Sequence, residues 1–280
     1  MSDNNTIIQM KGFSGYHLKM IALITMLIDH IGAVVLWRLF EASYRITASM
    51  QMSDYLGDKI IVWFSQNQEL MYTIYEYMRL IGRMAFPIYC FLLVEGFLHT
   101  RNVGKYAFRL FLFALLSEIP FDFALEGTFW SPTYNNVFFT LLLGLLCINC
   151  LNWLERLFQK WQEKKWDKFI GNCIKAFLFF VVIAGMGVIA EDILMTDYGM
   201  AGVVAIAIIW LFRSQKVVGF SSSILSLGLL SSSTEYLAIC MLPFIMKYDG
   251  TRGKQTKYLF YAFYPIHLFL LGIICVLLGV

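Results

Sequence analysis

The chain has 280 residues, 59% of them hydrophobic, 17% aromatic and 15% charged, with a formal net charge of +3 and a mean hydropathy of +0.66. Soluble domains average roughly 45–50% apolar and 25% charged residues, so much of this chain's surface needs lipid as its solvent. The small positive excess lies in short clusters between apolar runs, which excludes a soluble nucleic-acid-binding module.

A membrane-crossing helix needs about 20 mostly apolar residues. In chain order the candidates are 17–38, 72–98, 106–126, 134–154, 169–190, 197–212, 217–233, 235–247 and 257–279. Residues 1–16 are mostly polar, and no A-x-A site follows the first run, which is expected to stay as a signal anchor. Residues 40–70 are mixed and partly amphipathic, and read as an external loop lying on the membrane face or capping the bundle. The eighth candidate is short and holds Pro243, so 217–247 is either two spans or one span and a re-entrant segment. The expected fold is all-α, a polytopic transmembrane helical bundle of about nine spans (eight to ten) in one integral membrane domain over 1–280.

Basic residues mark the cytoplasmic loops of such proteins. They gather at Lys11 and Lys19, at Arg101, Lys105 and Arg109, from Arg156 through Lys160, Lys164 and Lys165 to Lys168, at Arg213 and Lys216, and at Lys247, Arg252, Lys254 and Lys257. All of these fall on one side if each span reverses direction. The opposite side holds Arg38, Arg45 and Lys59. The N-terminus is therefore expected inside and the C-terminus outside. The six cysteines lie nearly all in apolar runs and read as small buried hydrophobes, including the CxxC of Cys147 and Cys150.

An ionisable residue within the bilayer costs about 2.5–3.5 kcal/mol on insertion scales and marks a candidate site. Span 1 carries Asp29 and His30; span 2 carries Glu76, Arg79, Arg83 and Glu95; span 3 carries Glu118 and Asp122; span 9 carries His267. Lys19 and His30 are eleven residues apart, which places them about 20° apart around an ideal helix and about 16 Å apart along it. They share one face, with Leu23, Met26 and Leu27 between them. An anionic ligand held at Lys19 could extend a thin arm to His30, as the pantetheine of acyl-CoA does. The alternative is a snorkelling lysine and a histidine that hydrogen-bonds across the bundle.

His267, with Tyr264 one turn before it, falls at about the depth of His30, which suggests a shared cavity. Arg79 and Arg83 form an i,i+4 pair next to Glu76, and Glu118 and Asp122 another around Pro120; both also read as bundle salt bridges. Asp29 points about 100° from His30 on an ideal helix, so a carboxylate partner for His30 is expected from Glu118 or Asp122. His17 and His99 sit at membrane edges. No P-loop, dinucleotide fingerprint, zinc spacing or nucleophile elbow is present.

Five stretches resemble the TraX family of bacterial integral membrane proteins: LKMIALITMLIDHIGAVV from Leu18, RLIGRMAFPIYCFLLVEGFLHTRNVGKYAFRLFLFALLSEIPFD from Arg79, NNVFFTLLLGL from Asn135, EDILMTDYGMAGV from Glu191 and FYPIHL from Phe263. The founding member acetylates the N-terminus of a conjugative pilin subunit in the inner membrane. The family also looks like a branch of the transmembrane acyltransferases, which show a basic residue, ten intervening positions and a histidine in the first helix. The resemblance implies an acetyl-CoA-dependent acetyltransferase of the bacterial inner membrane, with an unidentified peptide or glycan acceptor. By that carry-over His30 is the catalytic histidine and Lys19 a CoA contact.

The expected catalytic set is His30 with Asp29 and Glu118; the expected donor contacts are Lys19, Arg101 and Lys105. Arg79, Arg83, Asp122, Tyr264 and His267 are assigned to the acceptor or the oxyanion. The expected co-substrate is acetyl-CoA, without a metal, and the other expected partner is the lipid bilayer. The rival reading is a proton-coupled transporter or channel built on the same intramembrane Asp, Glu, His and Arg residues.

Overall fold

A computed structural model describes residues 12–162, 168–254 and 257–280. Lys11, Lys164 and Lys165 of the expected basic clusters lie outside them.

Apolar runs that enter lipid must satisfy their own backbone groups, and a helix does so within one segment. Helix α1 (Gly15–His30) opens at Ser14, whose backbone N–H and hydroxyl lie 3.2 and 2.9 Å from His17 Nδ1, closing the first turn. It passes into a π-helical stretch, Ile31–Leu36, and continues as α2 (Trp37–Ser43). Short helices α3 (Ala48–Gln51) and α4 (Leu56–Gln66) precede α5 (Gln68–Gly82) and α6 (Ala85–His99), between which the chain breaks at Arg83 and Met84. Helix α7 (Val103–Leu125) is capped by the Asn102 side chain, which accepts the Lys105 backbone N–H at 2.8 Å. Then come α8 (Val137–Gln162) and α9 (Lys168–Val188), the latter ending in a second π-helical stretch, Ile189–Ile193. After α10 (Gly199–Leu211) and α11 (Lys216–Leu230), a 3-10 helix, Ser233–Met241, leads into α12 (Leu242–Met246), and α13 (Lys257–Leu278) closes the bundle.

All nine expected segments are helical. Among the described residues five stretches are long and apolar enough to cross a membrane: Gly15–Ser43, Gln68–His99, Val137–Trp161, Lys168–Ile193 and Phe260–Leu278. Helix α7, at 23 residues, has the length, and Lys105, Arg109, Glu118 and Asp122 make it more polar. Gly199–Leu211, Lys216–Leu230 and Ser233–Met246 are shorter. The thirteen residues of α10 reach only about 20 Å. It is buried along its length, with Val203, Ala205, Ile206, Ala207 and Trp210 fully enclosed, so other helices rather than lipid surround it. Residues 217–247 run out as α11 and return as the 3-10 helix and α12, so both pieces are helical and neither is as long as a usual span.

Two groups of helix ends separate the bundle into two poles. At one pole the strand-like pair Phe13 and Tyr248 joins the start of α1 to the end of α12, Arg213 pairs with Glu155 at 2.6 Å, and the Arg252 guanidinium donates to the His99 carbonyl. At the other, Asn135 bridges to Thr196, Arg38 donates to the Phe123 and Ala124 carbonyls at the end of α7, and the Tyr55 hydroxyl donates to the Leu277 carbonyl. The ends that the charge pattern assigns to one side are thus in contact. Within 40–70, α4 packs Ile61 and Phe64 on Leu39, Phe40 and Met71, a small core separate from the main one.

Candidate functional site

The site begins where α1 crosses α5. A Cβ on Gly82 would occupy the space of the Asp29 side chain, so only glycine there lets the helices approach this closely. The crossing sets Asp29 Oδ2 2.8 Å from the Arg79 guanidinium. Beside it lies a cavity of about 550 Å³, within the usual range for ligand pockets of roughly 300–1,000 Å³. Lys19, Met26, Asp29, His30 and Ala33 of the first span line it. The helical face that carries Lys19 and His30 therefore does open on one common space.

One end of the cavity is cationic. The backbone of 247–251 pairs with that of 13–15, with Phe13 N–H donating to the Lys247 carbonyl at 2.9 Å and Gly15 N–H to the Thr251 carbonyl at 2.8 Å. This docks the loop before α13 against the start of α1 and brings Arg252 and Lys254 to the same space as Lys19 and Arg109. None of these four is in a salt bridge among the described residues. Lys19 sits 5.3 Å from the Phe260 ring centroid, and Arg109 5.7 Å from that of Tyr106. Glu95 also lines this end, but Lys216 lies 3.5 Å from it. Four cations without acidic partners among the described residues give this end a positive potential that suits an anion. Nearby, the Thr251 hydroxyl and N–H both donate to Asp249, which holds its carboxyl below the usual range and shapes the turn.

Deeper in, the charged groups have partners. Arg83 pairs with the fully buried Glu235 at 3.0 Å. Asp197, in the loop between the second π-helical stretch and α10, accepts from the Tyr134 hydroxyl at 2.7 Å; burial pushes its carboxyl above the ordinary range. Tyr198 beside it has φ +64° and stacks on Phe86 with ring centroids 3.7 Å apart. A bulky residue in the left-handed region marks a strained position, and here it lines the cavity.

His30 Nδ1 lies 2.6 Å from His267 Nε2, and Tyr264 is edge-on to both rings at 5.8 Å. The position expected for a carboxylate partner is thus filled by a histidine. Glu118 and Asp122 do not meet His30, because that face of α7 turns toward the loop before α8. Glu118 accepts from the Asn136 side chain, and Asp122 Oδ2 accepts the Ser131 N–H at 2.7 Å. Asp29 is taken by Arg79, as its angular offset from His30 requires. Arg101 and Lys105 are exposed and do not line the cavity; Arg109, Arg252 and Lys254 stand where those two were expected. His99 Nδ1 donates to the Glu95 carbonyl one turn earlier at 2.7 Å. The pairing of Arg83 with Glu235 spans 152 residues, and no local spacing signals it. Asp197 and Tyr198 lie inside the EDILMTDYGMAGV stretch that carries the family resemblance, and no spacing within it marks them as site residues. Among the described residues no group of three His, Cys, Asp or Glu side chains is placed to hold a metal ion.

The fold and the site define a polytopic helical membrane protein with a polar internal cavity, cationic at one end. The chain belongs to the TraX family: the profile described as TraX protein matches residues 14–275, which include every residue of the cavity. It is similar to the probable fimbrial assembly protein FimC, serogroup H1, of Dichelobacter nodosus, with 26% identity over 285 positions covering 92% of this chain and 94% of that protein. No solved structure matches the chain.

Proposed function

We propose that the protein is an acyltransferase of the bacterial inner membrane, which moves an acetyl group from cytoplasmic acetyl-CoA to an amine or hydroxyl of a peptide or glycan acceptor. The observation that carries this reading is one cavity that joins Lys19, Arg109, Arg252 and Lys254, none of them salt-bridged among the described residues, to His30. The phosphates of the donor are held by the cations, and the pantetheine arm runs along α1 past Met26. Its thioester then lies beside the histidine. His30 takes the proton of the acceptor N–H or O–H as that atom attacks the thioester carbon. The new C–N or C–O bond forms, the C–S bond breaks, and the departing thiolate of CoA receives the proton from His30. Arg79, within electrostatic reach of His30, stabilises the oxyanion that forms between the two events. Asp197, Tyr134 and Tyr198 line the cavity at the pole opposite the cations, which is where the acceptor enters. Membership in TraX and the fimbrial assembly name of the relative favour a subunit of a surface appendage, or a sugar on one, as that acceptor.

The test is transfer from radiolabelled acetyl-CoA to acceptor in proteoliposomes. His30→Ala is expected to abolish transfer and to leave the unfolding transition in detergent unchanged; full activity in that variant overturns the assignment. Because the lining runs from Lys19 at one pole to Asp197 at the other, a substrate path is the second reading. Proton-coupled flux in liposomes without any acyl donor, lost in the same variant, supports that reading against transfer.

A further inference from the structure

Two hydrogen bonds run in series behind His30. Its Nδ1 is 2.6 Å from His267 Nε2, and His267 Nδ1 is 2.7 Å from the Phe263 carbonyl oxygen. A carbonyl oxygen only accepts, so His267 Nδ1 carries a proton. In the neutral ring Nε2 is then the acceptor, and the donor across the 2.6 Å contact is the N–H of His30 Nδ1. That leaves His30 Nε2 with a free lone pair, on a ring that lines the cavity and with no hydrogen bond from that nitrogen to a described residue. The ring planes are 22° apart with centroids 4.9 Å apart, an edge-to-edge placement that brings N–H and lone pair nearly into line.

We propose that His267 is the positioning residue of His30: anchored on the Phe263 carbonyl, it holds His30 in the Nδ1–H tautomer and so presents Nε2 to the cavity as a base. His267 is itself held on every side. It is 5% exposed, its ring stacks on that of Phe263 at 4.7 Å, and Tyr264 stands edge-on to it. Facing His30 from α5 is Arg79, already engaged by Asp29, so neither competes for Nδ1. When His30 takes the acceptor proton on Nε2, its Nδ1 proton remains bonded to His267, which spreads the positive charge over a second ring without exposing it to the apolar wall. The chemical role rests on the acyltransferase reading; the hydrogen-bond chain does not.

The experiment has two independent arms. Solid-state 15N spectra of histidine-labelled protein in lipid, with the His30 signals assigned from His30→Gln, report which ring nitrogen is protonated. The wild type is expected to show Nδ1–H at both His30 and His267, and His267→Leu to lose the Nδ1–H form of His30. In the transfer assay, His267→Leu is expected to lower kcat on the order of 10²-fold with KM for acetyl-CoA unchanged. His267→Gln, whose side-chain oxygen can accept the His30 N–H, is expected to recover most of that loss; if the leucine protein does not fold, the wild-type spectra decide alone. An Nε2–H tautomer at His30 in the wild type overturns the proposal, as does wild-type kcat in His267→Leu. Absence of transfer by the wild type counts against the acyltransferase reading alone, since the spectra still decide the chain.

Discussion

Glu235 is fully enclosed, and Arg83 is its ion-pair partner. Its second carboxylate oxygen has no hydrogen bond to a described residue. A buried pair of this kind is costly to break from one side, because the remaining charge has neither water nor partner. Arg83→Leu is therefore expected to destabilise the protein by roughly 3–5 kcal/mol, while the double variant Arg83→Leu with Glu235→Leu recovers most of the loss. Unfolding in detergent for the two single variants and the double one measures this directly. A double variant no more stable than Arg83→Leu would show that the arginine acts through something other than its pair. Asp29 and Arg79 differ from this case, since both side chains border the cavity and both stay partly exposed.

At the scale of elements, close approach and irregular turns place the chemistry. The first span is regular α-helix up to His30 and π-helical just after it, and such wide turns recur at functional sites. The regular part explains why the eleven-residue spacing of Lys19 and His30 holds in space. The π-helical part ends the prediction that a 3.6-residue period can make. Gly82 tests the crossing. An alanine in an exposed helix normally stabilises by about 0.5–1 kcal/mol relative to glycine. Here the added methyl group meets the Asp29 side chain, so Gly82→Ala is expected to destabilise by about 1–3 kcal/mol, the range for overpacked sites. The sign of the change in unfolding free energy decides between the two.

For the whole molecule, the proposed donor site draws its four cations from α1, α7 and the loop before α13, so it exists only in the folded bundle. A ligand that binds the native state alone stabilises it, by roughly 2.7 kcal/mol at a hundred times its dissociation constant. Acetyl-CoA is expected to raise the unfolding temperature of the purified protein, and the rise is expected to shrink in Lys19→Ala and in Arg252→Ala. Raising the ionic strength is expected to weaken the effect, because two of the four cations, Arg252 and Lys254, are exposed to solvent. No shift at millimolar acetyl-CoA would point to another acyl donor or to transport.

The all-helical architecture, the course of the chain between two poles and the shared face of Lys19 and His30 follow from the sequence by itself. They depend on apolar run length, on where basic residues fall and on helical period, all of which are local. The depth match of His30 and His267 was also legible, as a count of residues along two helices. What only the tertiary structure decided was which groups meet: His267 rather than Glu118 at His30, Glu235 at Arg83, and Arg252 with Lys254 rather than Arg101 with Lys105 beside Lys19. Those outcomes depend on helix rotation, on the docking of 247–251 against 13–15 and on glycine contacts such as that at Gly82. Each is set by packing between segments far apart in the chain, and no periodicity within one segment encodes it.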